Sequence, residues 1–218
     1  MRGVLWLVYA VMWVGGVVSG GVSKDAPWAA PFFLAIAGVL AVAENRAAWK
    51  HLVLAALIGM VFELAGVHTG LPFGRYAYTN TLAPSLLGVP IAIAFAWLVL
   101  IDFVRGVTQS PLWGALLMTA IDFVIDPLAA GPLHYWRWLD SGPYYGIPWI
   151  NFVGWLLASL VILNLLPAAK TRSAWVGLTV VAFFAVMALE LKLWLPGLLG
   201  CGIVTGALLW PRIQQAEA

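Results

Sequence analysis

The stretch Gly59-Met-Val-Phe-Glu63-Leu-Ala-Gly66-Val-His68-Thr-Gly70-Leu-Pro72-Phe-Gly74-Arg75-Tyr76-Ala-Tyr78 begins as an apolar helical run carrying one carboxylate. It then breaks into glycine, proline and aromatic residues, passes Gly88-Val-Pro90, and re-enters an apolar run at Trp97. A carboxylate at membrane depth is costly and marks a functional site by default. Composition decides that membrane is the right solvent to consider. The chain is 63% hydrophobic and 9% charged, with a mean hydropathy of +0.97, outside the range of soluble globular domains. Crossing hydrocarbon takes about 20 apolar residues per helix, and such runs fall at 4–22, 27–44, 50–69, 84–104, 111–130, 148–166, 174–194 and 196–211. The expected fold class is therefore all-α, a polytopic transmembrane helical bundle of eight spans. Only Leu195-Pro196-Gly197 divides the last two, so seven spans with a long kinked final helix is the alternative. The whole chain, 1–218, reads as a single integral membrane domain with its motif-bearing core at 55–160.

Charge reports topology here. A net charge of +2 is too small and scattered for a nucleic-acid partner, so none is expected. With eight spans, Arg2, Arg46, Lys50, Arg105, Lys170, Arg172 and Arg212 lie on the N-terminal side, against Lys24, Arg75, Arg137 and Lys192 opposite. By the positive-inside rule a multi-pass protein of the cell membrane with both termini cytoplasmic is expected. The first apolar run lacks a small-x-small cleavage pattern and reads as a retained span. Cys201 is the only cysteine, which leaves neither a disulfide framework nor a thiolate metal site.

The chain also repeats itself weakly. Gly88-Val-Pro90 precedes Trp97 as Gly146-Ile-Pro148 precedes Trp155, with the same proline-to-tryptophan spacing. Each unit follows an acid-bearing span, Glu63 in one and Asp122 and Asp126 in the other. Each also has an arginine among aromatics: Arg75 beside Tyr76 and Tyr78, and Arg137 between Trp136 and Trp138. Two helix–loop–helix units in the same orientation suggest a two-fold arrangement about a central site. At the α-helical rise, Asp126 lies about 7 Å and Glu63 about 10 Å below their loops, with Asp122 one turn deeper. Glu190 approaches the same side from the seventh span. Asp122 and Asp126 share a helix face, as do Asn151 and Trp155.

Absences narrow the chemistry. The three histidines, His51, His68 and His134, form no metal-ligand cluster, and there is no glycine-rich dinucleotide fingerprint, so no metal and no cofactor are expected. Asp122 and Asp126 alone are too few acids for paired magnesium–pyrophosphate motifs. Interfacial or hydrogen-bonding duty is the expectation for His68. Acid–base chemistry on a lipid-soluble substrate remains, with one carboxyl protonated beside one ionised. Thirteen tryptophans suit a polyene ligand and a carbocation, whose charge aromatic faces attract.

Glu63-Leu-Ala-Gly66-Val-His68-Thr-Gly70-Leu-Pro72-Phe-Gly74-Arg75-Tyr76-Ala-Tyr78, then Leu82-Ala-Pro84, Gly88-Val-Pro90 and Trp97, resemble the integral-membrane carotenoid biosynthesis family of C-1′,2′ hydratases. Asp122-x-x-x-Asp126-Pro127, Trp136-x-Trp138, Gly142-x-Tyr144-Tyr145-Gly146-Ile-Pro148 and Asn151-Phe-x-Gly154-Trp155 are similar to the same family; Ala83 departs from it where a glycine is expected. The resemblance implies addition of water to the terminal double bond of an acyclic carotenoid. It also implies partners in membrane lipid, the carotenoid itself and other carotenoid biosynthesis enzymes. Asp126 or Asp122 is expected as the acid and Glu63 as its partner. Arg75, Tyr76, Tyr78, His68, Trp97, Trp138, Tyr144, Tyr145, Asn151, Trp155 and Glu190 are expected around the substrate. An end-group cyclase or isomerase also starts by protonating a polyene, and a carotenoid-binding or proton-coupled transport protein would use the acids as a relay. Both stay open at this stage, as does the oligomeric state.

Overall fold

The computed structural model describes residues 2–21, 26–166 and 174–216, with side chains as far as 209. Among them are eight α-helices, an all-α bundle: α1 (Arg2–Val18), α2 (Ala29–Glu44), α3 (Trp49–Thr69), α4 (Ala92–Val107), α5 (Pro111–Ala130), α6 (Trp149–Leu165), α7 (Trp175–Glu190) and α8 (Trp194–Ala216). The stretches Arg46–Thr69 and Pro111–Ala130 are long and apolar enough to cross a membrane, and α1, α2, α6 and α7 are shorter apolar helices. Lys24, Lys170 and Arg172, which carried part of the charge asymmetry, lie outside the described residues, as does the side chain of Arg212.

Two boundaries differ from the sequence expectation. The span expected over 84–104 begins only at Ala92, because β2 (Ser85–Leu86) and β3 (Val89–Pro90) form a hairpin ahead of it. Leu87 and Gly88 both have positive φ, 50° and 87°, the two-residue turn that suits the right-handed twist of paired strands. The last two helices are separate, but they part at Leu191–Leu193 and not at Leu195-Pro196-Gly197. Pro196 is the third residue of α8, where the missing N–H has no intrahelical partner to lose.

The centre of the bundle is a pair of matching units, α3–loop–α4 and α5–loop–α6. Their loops meet through β1 (Tyr76–Tyr78) and β4 (Trp136–Trp138), antiparallel, with Tyr76 opposite Trp138, Ala77 opposite Arg137 and Tyr78 opposite Trp136. A two-fold through the Ala77–Arg137 pair exchanges the units. It also relates the α3–α6 contact to the α4–α5 contact. The turn at Leu87–Gly88 recurs at Tyr145–Gly146, again with two positive φ angles, 52° and 82°. Helix α2 packs on α4, with α1 against α2 and α7, and α7 and α8 flank α5. Gly59 lets the Trp97 indole lie directly on α3, where any β-carbon would overlap the ring.

Candidate active site

Period-two alternation in β1 and β4 sends Tyr76, Tyr78, Trp136 and Trp138 inward and leaves Arg137 outside. Beneath them Glu63, buried in the last two turns of α3, accepts three hydrogen bonds. Tyr76 Oη donates to Oε2 at 2.6 Å, Tyr78 Oη to the same oxygen at 2.8 Å, and Trp97 Nε1 to Oε1 at 3.2 Å. Asp126 is bound in the same manner from the other unit. Trp136 Nε1 and Trp138 Nε1 donate to its Oδ1 at 2.8 and 3.1 Å, and Asn151 Nδ2 donates to Oδ2 at 2.9 Å. Glu63 and Asp126 are thus two-fold counterparts, each held by two aromatic donors from its own strand.

The symmetry breaks one turn deeper. Asp122 stands four residues before Asp126, whereas Gly59 stands four before Glu63. Asn151 stands four before Trp155, whereas Ile93 stands four before Trp97. One half therefore carries a carboxyl–amide pair, with Asn151 Nδ2 donating to Asp122 Oδ2 at 2.6 Å. The other half has a glycine and an isoleucine there. The Trp97 and Trp155 rings stack on the pseudo-axis, 4.5 Å between centroids and 14° from parallel.

All three carboxyls line one cavity of about 70 Å³. Its walls include Phe73, Tyr76, Tyr78, Trp97, Trp136, Trp138, Asn151 and Trp155, closed on the helix side by Ile93, Ala96, Leu100 and Ile125. Burial, reinforced by the Glu63 carboxylate, pushes the Tyr76 and Tyr78 phenols well up, so both keep their protons and act as donors. The cavity can hold an apolar group against aromatic side chains while presenting two carboxyls that each accept three hydrogen bonds and a third that accepts one. Among the described residues no three His, Cys, Asp or Glu groups are arranged to hold a metal ion.

Five expected site residues lie elsewhere. Arg75 is exposed and pairs with Asp140: Nη2 donates to Oδ1 at 2.6 Å, and its backbone N–H donates to Oδ2 at 3.0 Å. It clasps the two loops from outside. His68 faces outward on α3, and Glu190 is exposed at the end of α7. Tyr145 is exposed because it occupies the positive-φ position of its turn. Tyr144 serves the backbone. Pro127 inside α5 has no N–H for the Phe123 carbonyl, and Tyr144 Oη donates to that oxygen at 2.8 Å. Phe73, Trp136 and the apolar wall of α4 and α5 were missing from the expected set. The aromatic-x-aromatic pattern shared by 76–78 and 136–138 was the signal for Trp136. The i, i+3, i+4, i+7 face containing Trp97 was the signal for Ile93, Ala96 and Leu100.

Residues 29–208, from α2 into α8, match the family model described as carotenoid biosynthesis protein. The chain belongs to that family. It is also similar to the bisanhydrobacterioruberin hydratase of Haloarcula japonica, 32% identical over 139 residues, a match covering 58% of this chain and 46% of that protein. The match thus spans under half of the relative's length. No solved structure matches.

Proposed function

We propose that the protein is a carotenoid hydratase that adds water across the terminal 1′,2′ double bond of an acyclic carotenoid. The observation that carries this reading is the convergence of Glu63, Asp122 and Asp126 on one apolar, aromatic-walled cavity. The family membership and the hydratase name of the relative support the same choice. Asp122 is the proposed acid. It receives one hydrogen bond, from Asn151, and so is the carboxyl most free to turn to substrate, while Glu63 and Asp126 are each held by three donors. The Asp122 proton goes to C-2′, using the π-electron pair, and leaves a tertiary cation at C-1′. Trp97, Trp136, Trp138 and Trp155 line the cavity around that cation, and aromatic rings attract positive charge. Water oxygen then bonds to C-1′, and its surplus proton passes to Asp126 or Glu63 and back to Asp122 through Asn151-linked carboxyls or solvent. Fixed donors in a dry pocket stabilise the charges without reorganising.

The same reading makes the chain a multi-pass membrane protein. Outward faces are apolar: Val153, Leu157, Val161 and Leu165 form an exposed stripe along α6, the reverse of a soluble helix. Trp28, Trp49, Trp113, Trp149, Trp175 and Trp194 are all exposed around the N-terminal ends of their helices. In an up-and-down bundle they divide equally between the two ends, as interfacial belts do. The test is expression in a host that accumulates an acyclic carotene, followed by mass analysis of the pigments. A product heavier by one water is expected. Unchanged pigment, or an isomer of unchanged mass, would overturn the reading.

A further inference from the structure

The acid cavity is too short for a carotenoid, so the remainder of the chain needs a course through the protein. A second cavity, of about 50 Å³, shares Ile93, Ala96, Leu100, Ile125 and Trp136 with the acid cavity. Its far wall is Leu34, Tyr135 and Phe184. Those three side chains are also the inner wall of a crevice of about 620 Å³ between the ends of α1 and α2 and the middle of α7. Gly15 and Gly16 put no side chain into the crevice from α1, and Phe33 and Phe183, with ring centroids 5.0 Å apart, flank it. Among the described residues, none that lines the second cavity or the crevice is charged.

The geometry points to one continuous route, in which the polyene chain of the substrate runs from the acid cavity past Ala96 and Leu100, crosses between Leu34 and Phe184, and leaves through the α1–α2–α7 crevice. The asymmetry of the two units selects this direction. The polar Asp122–Asn151 pair stands on one side of the acid cavity, and its two-fold equivalent is the apolar Gly59–Ile93 pair. Ile93 belongs to the wall shared with the second cavity. A reacting end therefore meets the carboxyls head-on while the apolar chain trails away on the Ile93 side. The neck, apolar on every side, admits a thin hydrocarbon and rejects a hydrated headgroup, because unpaired polar groups there would be desolvated. The route names a polyene only through the hydratase reading above; its existence as an apolar passage does not depend on that reading.

Two fillings test it in the detergent-solubilised full-length protein: Ala96→Leu at the first junction and Leu34→Phe at the second. Lycopene is the probe, followed by the circular dichroism induced in its visible band, and hydration is followed separately on lycopene and on a short acyclic terpene with the same terminal double bond. Each filling is expected to weaken lycopene binding about tenfold or more. Leu34→Phe should lower the lycopene-to-terpene turnover ratio by a similar factor. Leu34→Ala, which opens the same junction, should keep the lycopene signal. Wild-type binding and an unchanged ratio in either folded filling variant would overturn the route, as would a wild-type protein that gives no induced signal. Lycopene bound and blocked by the fillings without any hydration would sustain the route and overturn the hydratase reading. Hydration indifferent to both fillings would do the reverse.

Discussion

Replacing Asn151 by leucine keeps the volume of the side chain and removes the amide that bridges the two aspartates. Asn151 Nδ2 donates to Asp122 Oδ2 at 2.6 Å and to Asp126 Oδ2 at 2.9 Å. With Asp126 ionised, that hydrogen bond contributes about 1.5–3 kcal/mol, and the one to a protonated Asp122 about 0.5–1.5 kcal/mol. Together they amount to about 2–4.5 kcal/mol. If most of this acts while the proton leaves Asp122, turnover falls by about 30-fold to 1,000-fold, at about 1.4 kcal/mol per tenfold. The amide is engaged with carboxyls, so the loss is expected in kcat more than in KM. The assay is initial-rate hydration of an acyclic carotene in mixed micelles, at a temperature where circular dichroism shows the variant folded. Turnover within about threefold of wild type would refute the idea that Asn151 ties the two acids into one device.

Four further outcomes are expected. Tyr76→Phe removes the 2.6 Å donor to Glu63 and should cost about 1.5–3 kcal/mol of stability, read by denaturant unfolding, since a charge-assisted hydrogen bond is lost in a buried place. Tyr144→Phe leaves the Phe123 carbonyl without its donor and should destabilise by about 1–3 kcal/mol; Pro127→Ala restores the backbone N–H, so the double variant should recover much of that loss in a double-mutant cycle. Gly59→Ala places a methyl group against the Trp97 indole and should reduce turnover by shifting the ring that bonds Glu63, a change visible in near-ultraviolet circular dichroism. Hydrogen bonds from Arg75 hold the Asp140 carboxyl below the usual carboxylate range. Its stabilising contribution is therefore present above the unfolded aspartate pKa and lost as pH falls through the folded one; protection factors at Tyr76–Tyr78, taken relative to the intrinsic exchange rate at each pH, should drop at acidic pH, and Asp140→Asn should abolish that dependence.

Much of the arrangement was legible in the residues because two periodicities carry it. The helix period placed Asp122 with Asp126 and Asn151 with Trp155, and the repeated Gly-x-Pro…Trp spacing placed the two units in register. The family resemblance in the motifs from Glu63 to Trp155 agrees with the match over residues 29–208. What stayed hidden depends on groups distant in sequence. Arg75 reads as a site residue until Asp140 is found beside it across the strand pair. Tyr144 reads as a pocket aromatic, but the carbonyl it satisfies is freed by a proline on another element. The hairpin at Ser85–Pro90 is apolar enough to pass for the start of a helix, and only the two positive φ angles at Leu87 and Gly88 set it apart.

Acid-catalysed hydration at Asp122 makes one demand that no isomerase, cyclase or transporter shares: the product oxygen must come from water. The most direct measurement is the mass spectrum of the pigment formed from an acyclic carotene by the purified protein in water enriched in the heavy oxygen isotope. The wild-type product should carry the label in one tertiary hydroxyl, and Asp122→Asn should yield almost none of it. A product without the label, or a fully active Asp122→Asn variant, would contradict this mechanism.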